Sequence, residues 1–107
     1  MVKIKIKPLS VNRSYQGRRF STPELKDYKQ ELSYLLPPLR VPKGKLRVVY
    51  VFGVSSKASD GDNLIKSFQD SLAEKYGFND RDIYEWSVKK ELVKKGEEYC
   101  AFELLPL

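Results

Sequence analysis

The sequence predicts a small α+β domain in which two helices pack on one mixed β-sheet, in the chain order β-α-β-α-β-β. Two observations support this prediction. Several short runs contain alternating or clustered apolar residues, as strands do, and two longer stretches repeat their apolar residues every three or four positions, as amphipathic helices do. The length of 107 residues suits a single domain that spans residues 1–107.

The first predicted strand lies at the N-terminus, where Val2, Ile4 and Ile6 alternate with lysines until Pro8 interrupts the pattern. This alternation indicates a half-buried strand, with one face on the core and the other in solvent. A polar loop over residues 9–20 follows it.

The first predicted helix begins in the segment Ser21-Thr22-Pro23-Glu24. Ser21 and Glu24 have the spacing of a capping box, and Pro23 suits the first turn of a helix. The buried face is expected to contain the apolar residues spaced by three or four: Leu25, Tyr28, Leu32 and Leu35. Pro37-Pro38 then ends the helix.

A central strand and a second helix are predicted next. Residues 45–53 (KLRVVYVFG) are rich in β-branched and aromatic residues, as central strands are. After a loop of serines and lysine, a helix is expected from about Asp62 to Tyr76, with Gly77 as its C-terminal stop.

The last two predicted strands are Ile83–Val93 and Tyr99–Leu105, separated by a turn at Lys94–Glu97. Because a short Gly-containing turn between two strands is typical of a hairpin, we expect these strands to pair with each other.

The amino-acid composition excludes several classes of catalytic site. The chain has no histidine and a single cysteine, Cys100. Ser-His triads and zinc sites built from His or several Cys ligands are therefore excluded, and any catalysis depends on carboxylates, lysine, tyrosine or a hard metal ion. With no possible internal disulfide and no apolar run near the ~20 residues of a membrane span, we expect a cytoplasmic protein without a membrane segment.

The net charge of +6 is unevenly distributed. Residues 1–50 contain 12 Lys or Arg against 3 acidic residues, a net charge of +9, whereas residues 51–107 contain 8 against 11, a net charge of −3. A basic half beside an acidic half indicates a polyanion-binding surface next to a metal site. The alternative is a solvated basic surface without a ligand.

The second predicted helix has an apolar face and a charged face. On a helical wheel its apolar residues fall in one arc: Leu64, Ile65, Phe68, Leu72 and Tyr76. Asp62, Lys66 and Asp70 fall together outside that arc, one turn apart. The apolar face is predicted to pack on the sheet, and the charged face to present a carboxylate, an ammonium and a second carboxylate.

Asp60 and Asp62 flank a single glycine at the start of this helix. Two carboxylates so close repel each other unless a cation lies between them. Mg²⁺ binds one or two protein carboxylates, completes its shell with water and substrate phosphate, and makes a bound water more acidic. Lys66 would then stabilise the phosphate. A third carboxylate is expected from Asp80 or Asp82, in the turn after the helix.

Each of these residues also has a purely structural explanation. Asp60 or Asp62 would cap the helix, since aspartate is a preferred N-cap residue. Lys66 and Asp70 would form an ordinary i,i+4 surface pair. A calcium loop is excluded, because Leu64 stands at the fifth position of that loop, where an oxygen ligand is required.

The sequence resembles the RusA family of Holliday-junction resolvases in the motif Asp60-Gly61-Asp62-Asn63-Leu64-x-Lys66-x-x-x-Asp70-x-Leu72, followed by Gly77-Phe78-Asn79-Asp80-x-x-Ile83. Pro8-Leu9-Ser10-Val11-Asn12-Arg13 is similar to the Pro-containing Asn-Arg loop of the family. The resemblance covers most of the chain. The sequence departs from the family pattern in three places. Asn79 replaces the first acid of a family pair, Ser55–Ser59 replaces a basic run, and the segment between Asp70 and Gly77 is about one residue longer.

The resemblance implies a RusA-like fold and a homodimer that binds four-way DNA junctions and cuts them symmetrically with Mg²⁺, for which Mn²⁺ is the expected substitute. It implies Asp60, Asp62 and Asp80 as metal ligands and Lys66 as the catalytic lysine. Asp80 is chosen over Asp82 because Ile83 lies three residues after Asp80. The residues expected to contact DNA are Asn12, Arg13, Arg18, Arg19, Lys57 and Asn63.

The sequence therefore predicts a Mg²⁺-dependent, structure-selective endodeoxyribonuclease that resolves four-way DNA junctions in recombination and repair. A non-catalytic nucleic-acid-binding module, with the aspartates as helix caps, is the alternative from another class. A nuclease acting on flaps or other branched DNA is a third hypothesis.

Overall fold

The computed structural model describes residues 1–10, 15–16, 20–57 and 61–107, without the side chains of residues 15, 16, 20, 21, 61 and 62. In chain order the elements are β1 (Val2–Ile4), β2 (Tyr15–Gln16), β3 (Phe20–Ser21), α1 (Pro23–Leu35), β4 (Leu46–Val54), α2 (Gly61–Tyr76), a 3₁₀ turn (Asp80–Asp82), β5 (Ile83–Leu92) and β6 (Tyr99–Pro106). The predicted α+β class and element order are confirmed. The short antiparallel pair β2–β3, within the predicted polar loop, is an addition.

Strand β4 lies inside a four-stranded mixed sheet with the order β1-β6-β4-β5. It pairs antiparallel with β6 and parallel with β5, so that Tyr50 lies opposite Phe102 on one side and Val88 on the other. Parallel neighbours need a crossover connection, and α2 supplies it. As a result, α2 begins at the end of the sheet where β4 finishes, and β5 begins at the opposite end.

The predicted hairpin between the last two strands is wrong. The turn at Lys94–Glu97 exists, but β6 pairs with β4 and β1, and Tyr99 lies opposite Gly53. Burial gives the reason. Residues 99–102 are all buried, whereas β5 is exposed after Ile83, and a strand with a buried run gains more from the interior of the sheet than from its edge.

Helix α1 begins one residue later than the capping-box prediction. Thr22 is the N-cap, and its side chain accepts a hydrogen bond from the Leu25 N–H at 3.3 Å. Ser21 belongs to β3, so the predicted Ser21–Glu24 box is wrong. Since threonine caps a helix nearly as well as serine, the two adjacent residues are hard to separate by sequence alone.

The last buried residue at the end of α1 is Leu36, and the prediction of Leu35 is wrong. Leu36 is 3% exposed and Leu35 is 44% exposed. The helix stops at Leu35, and the extended backbone of Leu36 turns its side chain away from the helical periodicity and into the core.

Both helices pack on one face of the sheet and enclose a single core. Phe68 of α2 lies against the rings of Tyr50, Phe52 and Phe102, with centroids 5.5, 5.6 and 5.9 Å away in edge-to-face arrangements. The predicted apolar face of α2 is confirmed by the residues that join this core: Leu64, Ile65, Phe68, Leu72 and Tyr76. Within the described part of the chain, neither helix is long and apolar enough to cross a membrane.

Candidate functional site

The candidate site lies where β4 ends and α2 begins. Asp62 and Asn63 occupy the first turn of α2, a few residues beyond the last residue of β4, Val54. Asp60 and the side chain of Asp62 lie outside the described residues. Because the Cα atoms of residues two apart are separated by at most about 7.6 Å, the two carboxylates can reach one ion, and paired carboxylate oxygens fit Mg²⁺. The N–H groups at a helix start also favour bound anions.

Lys66 lies one helical turn further along α2, about 6 Å from Asp62 along the helix axis. Its Nζ atom is 3.3 Å from Oδ2 of Asp70, which confirms the i,i+4 contact anticipated by the structural explanation. An exposed pair of this kind contributes only about 0.3–0.5 kcal/mol to stability. The pair therefore adds little to folding, but it holds the ammonium on the same side of the helix as Asp62.

Asp80 lies beyond the opposite end of α2. The helix from Asp62 to Tyr76 covers about 21 Å along its axis, and Asp80 follows in the 3₁₀ turn that leads into β5. Burial, with the negative charge of Asp80 as a second cause, raises the pKa of Tyr50, which lies in the middle of β4. Because β5 runs parallel to β4, one chain does not return Asp80 or Asp82 to the start of α2.

An open groove of about 930 Å³ adjoins the start of α2, and Asn63 is one of the residues that line it. Its described lining contains two lysines and four acidic residues: Lys5, Lys7, Glu24, Asp27, Glu31 and Glu98. This lining is acidic on balance, which disfavours a phosphate group. The predicted DNA contacts in the polar loop over residues 9–20 lie outside the described residues: Asn12, Arg13, Arg18 and Arg19.

Lys57 is exposed shortly after β4. Its backbone carbonyl accepts a hydrogen bond from Nζ of Lys90 on β5, at 3.3 Å. This bond ties the segment before α2 to the edge of the sheet and leaves the Lys57 side chain at the surface beside the candidate site.

Glu98 is a residue near the site that the sequence reasoning missed. Its two carboxylate oxygens accept hydrogen bonds from the Ser55 hydroxyl and the Gly96 N–H, both at 2.8 Å. Its own backbone N–H, then Ser55, and more weakly Gly96 and Lys7 lower the pKa of Glu98, against an opposing effect of burial. Glu98 therefore fixes the chain just after β4. A prediction that β6 pairs with β4 would have placed Glu98 beside Ser55.

Within the described residues, no group of three or more Cys, Asp or Glu side chains is arranged to hold a metal ion. The two carboxylates that suggest Mg²⁺ are those of Asp60 and Asp62, and both side chains lie outside the described residues. No protein-family model matches the chain, and no curated protein matches it in sequence.

Proposed function

We propose that this chain is a Mg²⁺-dependent endonuclease that cuts branched DNA, four-way junctions foremost, as a homodimer. The observation that carries the proposal is the placement of Asp62 and Lys66 on successive turns of α2, at the end of the central strand. It puts the predicted metal ligand Asp62 and the ammonium group of Lys66 close together, with the spacing of the RusA-like motif.

The position of the site in the sheet supports the proposal. In open sheets with parallel strands, ligands bind beyond the carboxyl ends of the strands. The start of α2 lies at that end of the parallel pair β4–β5. A phosphate bound there would also meet the N–H groups of the first helical turn, which favour an anion.

The residues of the site have distinct roles in the proposed cleavage. Asp60 and Asp62 would hold the ion, which supplies Lewis-acid polarisation of the phosphate and a more acidic water. Lys66 donates hydrogen bonds to phosphate oxygens and stabilises the negative charge that develops on them. Asp70 holds Lys66 on the side of α2 that carries Asp62.

The homodimer is required for a third carboxylate. Asp80 follows the far end of α2, a helix that covers about 21 Å along its axis from Asp62 to Tyr76. Within one chain, Asp60 and Asp62 must therefore act without Asp80. A second copy of the chain supplies Asp80 to the site if its turn at Asp80–Asp82 lies against the start of α2.

The test is cleavage of a labelled four-way junction with and without Mg²⁺, with wild type beside Asp62→Asn and the control Glu74→Gln. We expect Asp62→Asn to abolish cutting while junction binding, measured without divalent ions, persists. Glu74→Gln, which removes the same charge from an exposed residue near the other end of α2, keeps the cutting. Cleavage by Asp62→Asn at the wild-type rate would show that the site is wrongly assigned.

A non-catalytic nucleic-acid-binding module is the second candidate. The contact between Lys66 and Asp70 favours it, because the lysine already has a structural partner. This candidate predicts junction binding without nicking under Mg²⁺ or Mn²⁺. Products mapped on junction, flap, single-stranded and duplex DNA then separate a junction nuclease from one acting on other branched DNA.

A further inference from the structure

Strand β5 forms one edge of the sheet and exposes apolar side chains along its length. Only the first of its ten residues is buried, and the exposed fractions of its large apolar residues are 58% for Tyr84, 48% for Trp86, 38% for Val88 and 55% for Leu92. Long edge strands are normally protected by proline, bulges or inward-pointing charges, because they otherwise pair with another strand. Strand β5 contains no proline, and its one register shift lies at its start.

Trp86 is held in place by the helix beneath it. Its indole N–H donates to the side-chain oxygen of Gln69 at 2.9 Å, so the ring is fixed although half of it is exposed. An aromatic residue that is already ordered loses little conformational freedom when a partner covers it, and such residues commonly anchor interfaces. Trp86 and Val88 lie on the same face of β5, beside Val48 and Tyr50 of β4.

The order of residues in β5 makes the strand complementary to itself. In an antiparallel pairing of two β5 strands centred on Ser87, each Glu85 lies opposite a Lys89, and each Trp86 lies opposite a Val88. Both matches occur twice, because the two strands are related by a two-fold axis. This register pairs nine of the ten residues of the strand.

The two neighbouring registers are less favourable in charge pairing or in the length of the paired segment. Centring the pairing on Val88 places Glu85 opposite Glu91, which sets like charges against each other. Centring it on Trp86 shortens the paired segment to seven residues, since the 3₁₀ turn precedes Ile83. The charge pattern and the strand length thus favour Ser87 as the centre.

We propose that β5 pairs antiparallel with β5 of a second copy of this chain about a two-fold axis at Ser87, which joins two four-stranded sheets into one of eight strands. The inference rests on the proposed function, which requires a homodimer. The register places Asp82 of one copy opposite Leu92 of the other. The turn that contains Asp80 then lies at the end of the neighbouring sheet where α2 begins.

Cysteine cross-linking tests the register directly. Directly opposed residues in antiparallel strands have Cα atoms about 4.5–5.5 Å apart, within the range of a disulfide. Ser87→Cys is therefore expected to form a dimer of twice the chain mass on oxidation, without DNA or metal. Glu85→Cys is the control, because its two copies would lie about 13 Å apart along the strand direction. Burial raises the pKa of the native Cys100 thiol to about 12, so that thiol does not compete.

A charge exchange tests the same pairing by sedimentation equilibrium. In Lys89→Glu, the new carboxylate lies opposite Glu85 at both symmetry-related positions. Because like charges then face each other, the dimer dissociation constant is expected to rise by about tenfold or more. Adding Glu85→Lys restores opposite charges across the pairing, but it also removes the carboxylate that lies 3.1 Å from Nε of Arg47 on β4, so we expect it to recover only part of the lost affinity. Lys95→Glu makes the same charge change in the turn outside β5 and is expected to leave the constant unchanged.

Two outcomes would overturn the inference. One is a wild-type chain that stays monomeric at about 100 µM, and the other is cross-linking of Glu85→Cys in place of Ser87→Cys. The proposed function is tested separately, because these measurements omit DNA and metal. A monomer that cuts junctions overturns the interface and the homodimer but leaves the nuclease activity standing, whereas a dimer in this register that never cuts overturns only the nuclease.

Discussion

The side-chain oxygen of Gln69 and the indole nitrogen of Trp86 lie 2.9 Å apart, in a hydrogen bond that ties α2 to β5. The same oxygen accepts a hydrogen bond from the hydroxyl of Tyr50, also at 2.9 Å. One amide on the helix therefore holds two neighbouring strands. Because Tyr50 is fully buried, water cannot replace Gln69 as the partner of its hydroxyl.

Gln69→Leu is expected to lower the free energy of unfolding by about 1–3 kcal/mol, because it leaves the buried Tyr50 hydroxyl without an acceptor. Urea denaturation of wild type and variant measures this loss. Tyr50→Phe in the Gln69→Leu background is the control. It removes the hydroxyl that has lost its acceptor and should therefore recover part of the lost stability. A double variant that loses the sum of the two single effects would contradict the proposed coupling.

Gly53→Ala is expected to destabilise the fold by about 1–3 kcal/mol through overpacking. A Cβ at Gly53 would collide with the ring of Tyr99, which lies opposite it on β6 and is itself covered by Nζ of Lys3, 4.1 Å from the ring centre. Thermal and urea unfolding measure the effect. In a Tyr99→Ala background the same substitution should cost much less, and an equal cost there would show that the ring is not the cause.

Glu98→Gln is expected to reduce the loss of stability in acid. Hydrogen bonds lower the pKa of Glu98 in the folded chain, so its stabilising effect is fully present above the ordinary value of 4.5 and is lost as pH falls through the folded pKa. Unfolding free energies measured from about pH 6 to pH 3 should therefore fall less steeply for Glu98→Gln than for wild type. The exposed neighbour provides a control, Glu97→Gln, and identical slopes for all three proteins would contradict the prediction.

Mixing two inactive variants is expected to restore junction nicking if the site is shared between two chains. Asp62→Asn and Asp80→Asn each damage both sites of their own homodimer. In a mixed dimer with shared sites, one site carries both substitutions and the other carries neither, so one strand is nicked. The measurement is nicking of a labelled junction after subunit exchange. Continued inactivity in a demonstrated mixed dimer would show that Asp62 and Asp80 do not act in this shared arrangement.

The helices and most strands could be predicted because their signals are local. The buried face of α2 follows from the spacing of Leu64, Phe68 and Leu72, and the end of that helix follows from Gly77, whose φ of +73° suits glycine. These features depend on residues within a few turns of one another, so periodicity and stop signals suffice to locate them.

Strand pairing could not be predicted in the same way. The turn before Tyr99 resembles a hairpin, yet β6 pairs with β4, because the choice depends on how much of each strand the distant helices cover. Two features of the site depend on this topology. Glu98 lies beside Ser55 only through the β4–β6 pairing, and Asp80 is carried away from Asp62 by the parallel β4–β5 pairing.

The place of β6 in the sheet also constrains when the protein can fold during its synthesis. Residues 99–106 are the last of the described strands to leave the ribosome, yet they lie between β1 and β4. Until they emerge, β1 has no partner in the sheet and the central strand lacks one neighbour. Long-range pairings of this kind are slow to form. The nascent chain therefore completes its sheet only after these residues are made, and until then β1 and one edge of β4 stay unpaired, which favours aggregation.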